Sequence, residues 1–358
     1  MRWMTVSAAL ALLLAQAAPA SAQFRVDDLP SWTFEDAELF LAPHSVSRSE
    51  DGLMLADGTI VVSDQTNGMT AIAPDGSMRP FGRFAEAGYV HAPPENPAGP
   101  NGVTLEPDGV HALVADIFTG AIYRVNLETE ETARIYQHSY GVNVAIRDSS
   151  GAIWFIQSTQ NVAGPDTEAR IFETMDTYAV DGALFRLPPP DADGRRGTPR
   201  MVVDGLAFPN GMVIDEDSGR LYLNETTAHR VSAWRIDIAR GDVSAPQVIA
   251  EIPTPDNLEM DGQGRLWVGS PIGGRMIVLD PDSGETHPVF WNKTEANDRI
   301  VAELLRLWET REPSMALVTP EAWAPMPGGV TGVIFDPDGG TVYLTGLGDA
   351  LLKLDRPE

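Results

Sequence analysis

Residues 209–225 read PNGMVIDEDSGRLYLNE, and residues 255–270 read PDNLEMDGQGRLWVGS. Each is an apolar stretch, an Asp/Gly-rich turn and a second apolar run, which is the pattern of a β-hairpin. Working outward, the same pattern returns as SEDGLMLADGTIVVSD at 49–64, PNGVTLEPDGVHALVAD at 100–116, GVNVAIRDSSGAIWFIQS at 141–158 and VTGVIFDPDGGTVYLTG at 330–346. Further strand-like runs lie between the copies, at 122–125, 183–187, 231–236 and 276–279, and end in short polar turns. Two strands from each repeat and two from each connection make a four-stranded antiparallel blade. Six blades predict an all-β, six-bladed β-propeller, in which radial repetition protects the strand edges. A strand around 38–41 is expected to complete a neighbouring blade.

Aligned on the turn, Asp51, Asn101, Asn143, Asn210, Asn257 and Thr331 share one position, with Glu50 and Asp256 one residue before it. The innermost strand of each blade lines the axis, so the residues opening these strands converge although they are far apart in sequence. Glu50, Asn143, Asn210, Asp256 and Asn257 would then bring two carboxylates and three amide oxygens to one point. Hard oxygen ligands in that number suit Ca²⁺. They suit Zn²⁺ poorly, because the chain has no cysteine and no histidine belongs to the set. The competing reading is that each Asn-Gly merely turns the chain. Two carboxylates crowded on an axis argue against it, since they need a cation or raised pKa values.

Composition narrows the rest. The chain opens MRWMTVSAALALLLAQAAPASAQF, with Arg2 before an apolar run and small residues before Gln23, the pattern of a signal peptide over 1–22. A periplasmic or secreted protein is expected, with one domain over 23–358 and no membrane span. The absence of cysteine excludes disulfides, thiolate metal sites and cysteine nucleophiles. A formal charge of −26 repels nucleic acid and anionic lipid and favours cations, although most of the 51 acidic residues serve solubility. The oligomeric state is not legible. Insertions are expected at 159–180, at 188–198 and at 292–327. In the last, NDRIVAELLRLWETRE over 297–312 places Ile300, Val301, Leu304, Leu305 and Trp308 at helical spacing, with Asn297 or Asp298 able to cap it. Such a helix would either cover a central pocket or brace the last blade.

The segments SEDG (49–52), FPNGMVIDEDSGRLYLNETTAHRV (208–231) and PDNLEMDGQGRLWVG (255–269) carry a resemblance. The chain resembles the superfamily of six-bladed, calcium-dependent lactonases: the SMP-30/gluconolactonase/LRE-like group, the paraoxonase/arylesterase group and the strictosidine synthase-like proteins. The likeness runs from about residue 45 to 350. It implies Glu50, Asn143, Asn210, Asp256 and Asn257 as ligands of a catalytic Ca²⁺, with Mg²⁺, Mn²⁺ or Zn²⁺ as other divalent candidates. Two departures stand out. Val144 replaces the aspartate that in paraoxonases helps hold a second, structural calcium, of which Asp51 keeps one element. Asn101 stands where paraoxonases place a histidine, as in gluconolactonase-like members.

The expected chemistry is hydrolysis of a small-molecule lactone or carboxylic (aryl) ester, the ion polarising the carbonyl. Asp256 is the expected base or nucleophile, and Asn101 is expected to orient substrate or water. Among six histidines, His91 and His138 are the candidates for an overhanging base, whereas His229 is expected to support a turn or blade contact. Trp154 and Trp267 are expected in blade packing, and the loop aromatics Phe81, Phe84, Tyr89, Tyr140, Trp291, Trp308 and Trp323 are candidates for a pocket wall. No Gly-x-Ser-x-Gly elbow is present. The alternatives are a strictosidine synthase-like condensation on the same fold and a metal-dependent binding propeller without turnover.

Overall fold

The computed structural model describes residues 29–41, 44–337 and 339–355. The expected leader at 1–22 lies outside the described residues. Six sheets form, one per repeat. Blade 1 runs through Gly52–Met54, Ile60–Asp64, Gly68–Ile72 and Met78–Pro80, and blade 2 through Pro100–Leu105, His111–Asp116, Ala121–Asn126 and Thr132–Gln137. Blade 3 follows with Ala145–Arg147, Ile153–Gln157, Gly182–Leu187 and Arg200–Leu206. These blades are four-stranded antiparallel meanders, as the repeat pattern predicts.

Two blades depart from that count. In blade 4, built on Pro209–Asp215, Arg220–Glu225 and Arg230–Asp237, the outer position is split between Asp242–Val243 and Gln247–Glu251, which both pair with Arg230–Asp237. Blade 5 comprises Leu258–Met260, Leu266–Ser270, Arg275–Leu279 and Thr286–Trp291, and Trp32–Thr33 adds a parallel fifth strand. Blade 6 comprises Val330–Phe335, Thr341–Gly346 and Leu351–Asp355, and Glu38–Phe40 pairs antiparallel with the last of these. The ring therefore closes with a strand from the start of the chain, which supplies the missing edge of the last blade.

The core is not central but lies between blades. Six apolar clusters each join two neighbours: Val61, Met69 and Val103 between blades 1 and 2, for example, and Trp267, Phe290 and Val330 between blades 5 and 6. Ile60, Val62, Ile334 and Leu351 form the seam between blades 6 and 1. Trp154 and Trp267 are fully buried in the second strands of their blades, and each indole N–H donates to the turn aspartate of its own repeat, Asp148 at 2.8 Å and Asp261 at 3.0 Å. A buried indole with a satisfied donor is a packing residue.

Among the described residues, three α-helices leave this frame: α1 (Thr167–Thr177), α2 (Glu295–Thr310) and α3 (Pro320–Trp323). α2 starts two residues earlier than its apolar spacing indicates. Its N-cap is Thr294, whose hydroxyl accepts from the Asn297 amide at 3.1 Å. Asn297 is fully buried instead, donating through Nδ2 to the carbonyls of Ile272 and Ala322. α1 falls in the 159–180 insertion, where no helix was expected.

Candidate functional site

The convergence on the axis follows from how the inner strands are joined. The Gly102 amide donates to the Asn143 carbonyl at 2.9 Å, the Gly211 amide to the Asp256 carbonyl at 2.9 Å, and the Asn257 amide to the Thr331 carbonyl at 3.0 Å. Each bond links the entrance of one blade to the next. A Cβ on Gly211 would stand 2.4 Å from the Leu258 nitrogen and 2.5 Å from the Asp256 carbonyl oxygen. Asn-Gly at this position is therefore a close-approach device, leaving the residue before the glycine to point at the axis.

Glu50, Asn143, Asn210 and Asp256 lie together at the floor of a cavity of about 270 Å³, and their exposures are only 4, 1, 5 and 6%. Glu50 Oε2, Asn210 Oδ1 and Asp256 Oδ1 are buried with no hydrogen-bond partner. Three orphaned oxygens from a carboxylate, an amide and a second carboxylate have the chemistry of hard ligands for a divalent cation, because buried acceptors otherwise find a donor. Burial pushes the Asp256 carboxyl well above the ordinary carboxylate range, and the charge of Glu50 adds to the push, while Arg48 and the Asn210 amide oppose it. Glu50 is also raised, chiefly by burial, with Arg48 opposing. These are the conditions under which a dication gains most from two acidic ligands. The residues present fit a divalent oxygen-liganded metal.

The other predicted residues have different places. Asn257 does not line the cavity. Its Nδ2 donates to the Glu50 carbonyl at 2.9 Å, which also accepts from the Thr331 and Thr345 hydroxyls. It braces the backbone that carries Glu50. Asn101 is likewise not on the cavity wall, because its Nδ2 donates to Asn143 Oδ1 at 3.2 Å and it is 1% exposed. The structure thus gives it a hold on Asn143, while its own Oδ1 is buried without a partner. His91 is outside the cavity too. Its Nδ1 meets the Ala98 amide at 3.1 Å, closing the loop before blade 2. His138 Nε2 lies 3.1 Å from Gln157 Oε1, packed against Phe155 and Phe185 away from the cavity. Asp51 is tied by both carboxylate oxygens, to the amides of Gly52 at 2.8 Å and Val103 at 2.7 Å, and burial raises its pKa to about 7.

His229 does reach the cavity. It holds blade 4 to the blade 5 entrance, its Nδ1 accepting the Thr254 amide at 2.9 Å, so the neutral ring carries its proton on Nε2. Burial, with Arg311 nearby, lowers its pKa to about 4. The indole of Trp308 on α2 sits edge-on to this ring, 4.9 Å between centroids, and donates to the Thr227 carbonyl at 2.9 Å. α2 is thereby fastened over the cavity, into which Leu304 projects.

Several lining residues carry no signal in the repeats. Arg48 has a left-handed backbone, φ 57°, and places its guanidinium 3.3 Å from Glu50 Oε1 and over the Phe118 ring. The apolar wall is formed by Ile117, Phe118, Ile171, Phe208 and Met175, with Phe172 at the rim. Of the loop aromatics, Trp323 lines the cavity, whereas Phe81, Phe84 and Tyr89 pack between blades 1 and 2.

A second group of ligand-type atoms among the described residues, on Glu106, Asp108 and His111, gathers within 4.8 Å beyond the far end of the blade 2 inner strand. Glu106 is bound there by Arg124 and Arg147, and Asp108 by Arg124 and His111. These ion pairs already supply the positive charge that a metal would bring.

Comparison with known proteins places this geometry. Residues 133–290 match the SMP-30/Gluconolactonase/LRE-like region family model. Pentonolactonase XacC of Haloferax volcanii is 31% identical over 189 residues, covering 51% of this chain and 56% of that protein. The gluconolactonase of Zymomonas mobilis is 25% identical over 227 residues, covering 59% and 57%. The chain thus spans little more than half the length of these curated relatives. A gluconolactonase structure from Xanthomonas campestris superposes with a TM-score of 0.59 at 20% identity, over 92% of this chain and 95% of that one, which is a likeness of fold. The chain is thus a six-bladed, closed propeller that is similar to the SMP-30/Gluconolactonase/LRE-like region family over 133–290, and the matched region spans the entrances that supply three of the four floor residues.

Proposed function

We propose that the protein is a divalent-metal-dependent hydrolase that opens lactones or cleaves carboxylic esters, with Ca²⁺ as the expected ion. The observation that carries this reading is the set of orphaned, buried oxygens on Glu50, Asn210 and Asp256 at the floor of an apolar cavity. The names of the relatives, pentonolactonase and gluconolactonase, support the same class of reaction. When bound, the ion polarises a substrate carbonyl and stabilises the negative charge that develops on its oxygen.

The chain's own residues then divide the work. Glu50, Asn143 and Asn210 hold the floor, with Asn257 and Asn101 fixing Glu50 and Asn143 from behind. Asp256 takes a proton from the attacking water or attacks the carbonyl itself. Burial and the charge of Glu50 raise its pKa, which makes the ionised carboxylate a stronger proton acceptor. Ile117, Phe118, Phe208 and the inserted helices keep bulk water from the reacting bond. The leading sequence supports export, so we place the enzyme in the periplasm or outside the cell.

The test is hydrolysis of a panel of aliphatic, sugar and aromatic lactones and aryl esters, after chelation and after return of single divalent ions. Turnover that disappears on chelation and returns with one ion is the expected result. Tight ion binding with no turnover of any panel member would replace the hydrolase with a binding propeller.

A further inference from the structure

Above the floor most of the cavity lining is apolar, with Arg48, Glu168, Tyr178 and Ser314 as scattered polar members, and one corner holds a cluster of buried polar side chains. Thr227, His229 and Thr254 all line it, are 7, 6 and 6% exposed, and leave Thr227 Oγ1, His229 Nε2 and Thr254 Oγ1 without a partner. Three buried polar atoms on one wall without a protein partner are costly unless something fills them. They are not loosely placed. Thr254 donates its amide to His229 Nδ1, and Trp308 grips the Thr227 carbonyl while flanking the His229 ring. His229 Nε2 is thus a fixed donor, and the two hydroxyls can donate or accept.

The corner adjoins the floor. Thr226, next to Thr227, bonds the Pro255 carbonyl at 2.8 Å and accepts from Asn210 Nδ2 at 3.3 Å, so the polar corner is one residue from two predicted metal ligands. Elsewhere in the lining, Ile171 and Met175 of α1 with Phe118 and Phe208 form an apolar wall, the Phe118 ring lying against the Arg48 guanidinium. A sugar lactone, with a hydroxyl on nearly every carbon, would leave most of those hydroxyls facing that wall unpaired.

We propose that Thr227, His229 and Thr254 form a polar subsite in a cavity whose lining is mostly apolar. The preferred substrate is then an amphiphilic lactone or ester with an extended apolar acyl or aryl body and one hydrogen-bonding oxygen close to its carboxyl group. The choice of lactones and esters rests on the hydrolase reading above, whereas the subsite itself rests on the orphaned corner.

The experiment compares γ-alkyl-γ-butyrolactones of increasing chain length, without a hydroxyl and with one on the ring or on the first tail carbon, together with glucono-δ-lactone. For the Ca²⁺-loaded protein, kcat/KM is expected to rise up to about fourfold per methylene. One hydroxylated isomer should be preferred over its plain parent by tenfold or more, a ratio that falls towards one in Thr227→Val and in Thr254→Val. Both variants are shape-matched, and melting curves report whether each has folded. Glucono-δ-lactone as the best substrate, or an unaltered ratio in both folded variants, would overturn the proposal. Calorimetric binding of the corresponding unhydrolysable lactams separates the two claims. Hydroxyl-dependent binding that is lost in Thr227→Val, with no lactone turned over, would remove the hydrolase and keep the subsite. Binding indifferent to the hydroxyl would remove the subsite even where hydrolysis is brisk.

Discussion

The amide of Gly211 donates to the carbonyl of Asp256 at 2.9 Å, joining the entrance of blade 4 to that of blade 5 through a gap that admits no side chain. The same bond that joins these two blades therefore sets the spacing between Asn210 and Asp256. Gly211→Ala should lose about 2 kcal/mol or more, because its Cβ meets backbone and cannot be relieved by a rotamer change. It should also weaken ion affinity. Denaturant unfolding with and without Ca²⁺ checks both, and a variant of native stability would contradict the close-packed axis.

Substitutions at the floor should separate holding from chemistry. Asp256→Asn is expected to lower turnover by about 10²–10⁴ if the carboxylate moves the proton, while the fold persists. Near-normal kcat in that variant would take the role from Asp256. Asn210→Ala and Glu50→Gln should instead lower ion affinity and, with Ca²⁺ present, the melting temperature, since an ion at 100 times its Kd adds about 2.7 kcal/mol. Melting temperatures equal to wild type in saturating Ca²⁺ would remove both from the ligand set.

Ion binding should depend on pH in one direction. Burial raises both Glu50 and Asp256, so protons compete with the ion for these carboxyls. Affinity measured by calorimetry should fall as the pH is lowered, with protons released on binding. Affinity indifferent to pH, with no proton release, would mean that the carboxylates are already ionised without the ion.

His229 predicts a separate effect on stability. Its folded pKa of about 4 lies below the unfolded value near 6.5, so the folded state binds fewer protons than the unfolded one between these values. Its contribution is complete above pH 6.5 and is lost progressively as pH falls to about 4, amounting to roughly 3 kcal/mol. His229→Gln should remove that part of the pH slope. Unfolding curves for both proteins at pH 7 and 4.5 would reveal it, and parallel slopes would show that the ring is free to protonate in the fold.

The fold was legible because it is written six times, and the floor because its residues occupy one position in that repeat or the one just before it. Glu50, Asn143, Asn210 and Asp256 could be read from the hairpins alone. Asn101 and Asn257 share the repeat position yet turn to neighbours, Asn143 Oδ1 and the Glu50 carbonyl, and periodicity says nothing about which way a side chain turns once it reaches a crowded axis. The walls were not legible for a different reason. Ile171 and Met175 are one helical turn apart on α1, a spacing that was available in the sequence but hidden by the acidic, turn-rich residues around it. Arg48 and Phe208 stand just before their repeats in loop conformations that only tertiary packing fixes. His91 looked exposed on a long loop, and its ring is instead spent on closing that loop.

The most direct measurement is to follow lactone hydrolysis and melting temperature together while Ca²⁺ is titrated into fully chelated protein. Both should rise along one saturation curve, with the curve displaced to higher Ca²⁺ in Glu50→Gln. Hydrolysis at full rate in the chelated protein, indifferent to added ion, would contradict a metal-dependent centre on the propeller axis.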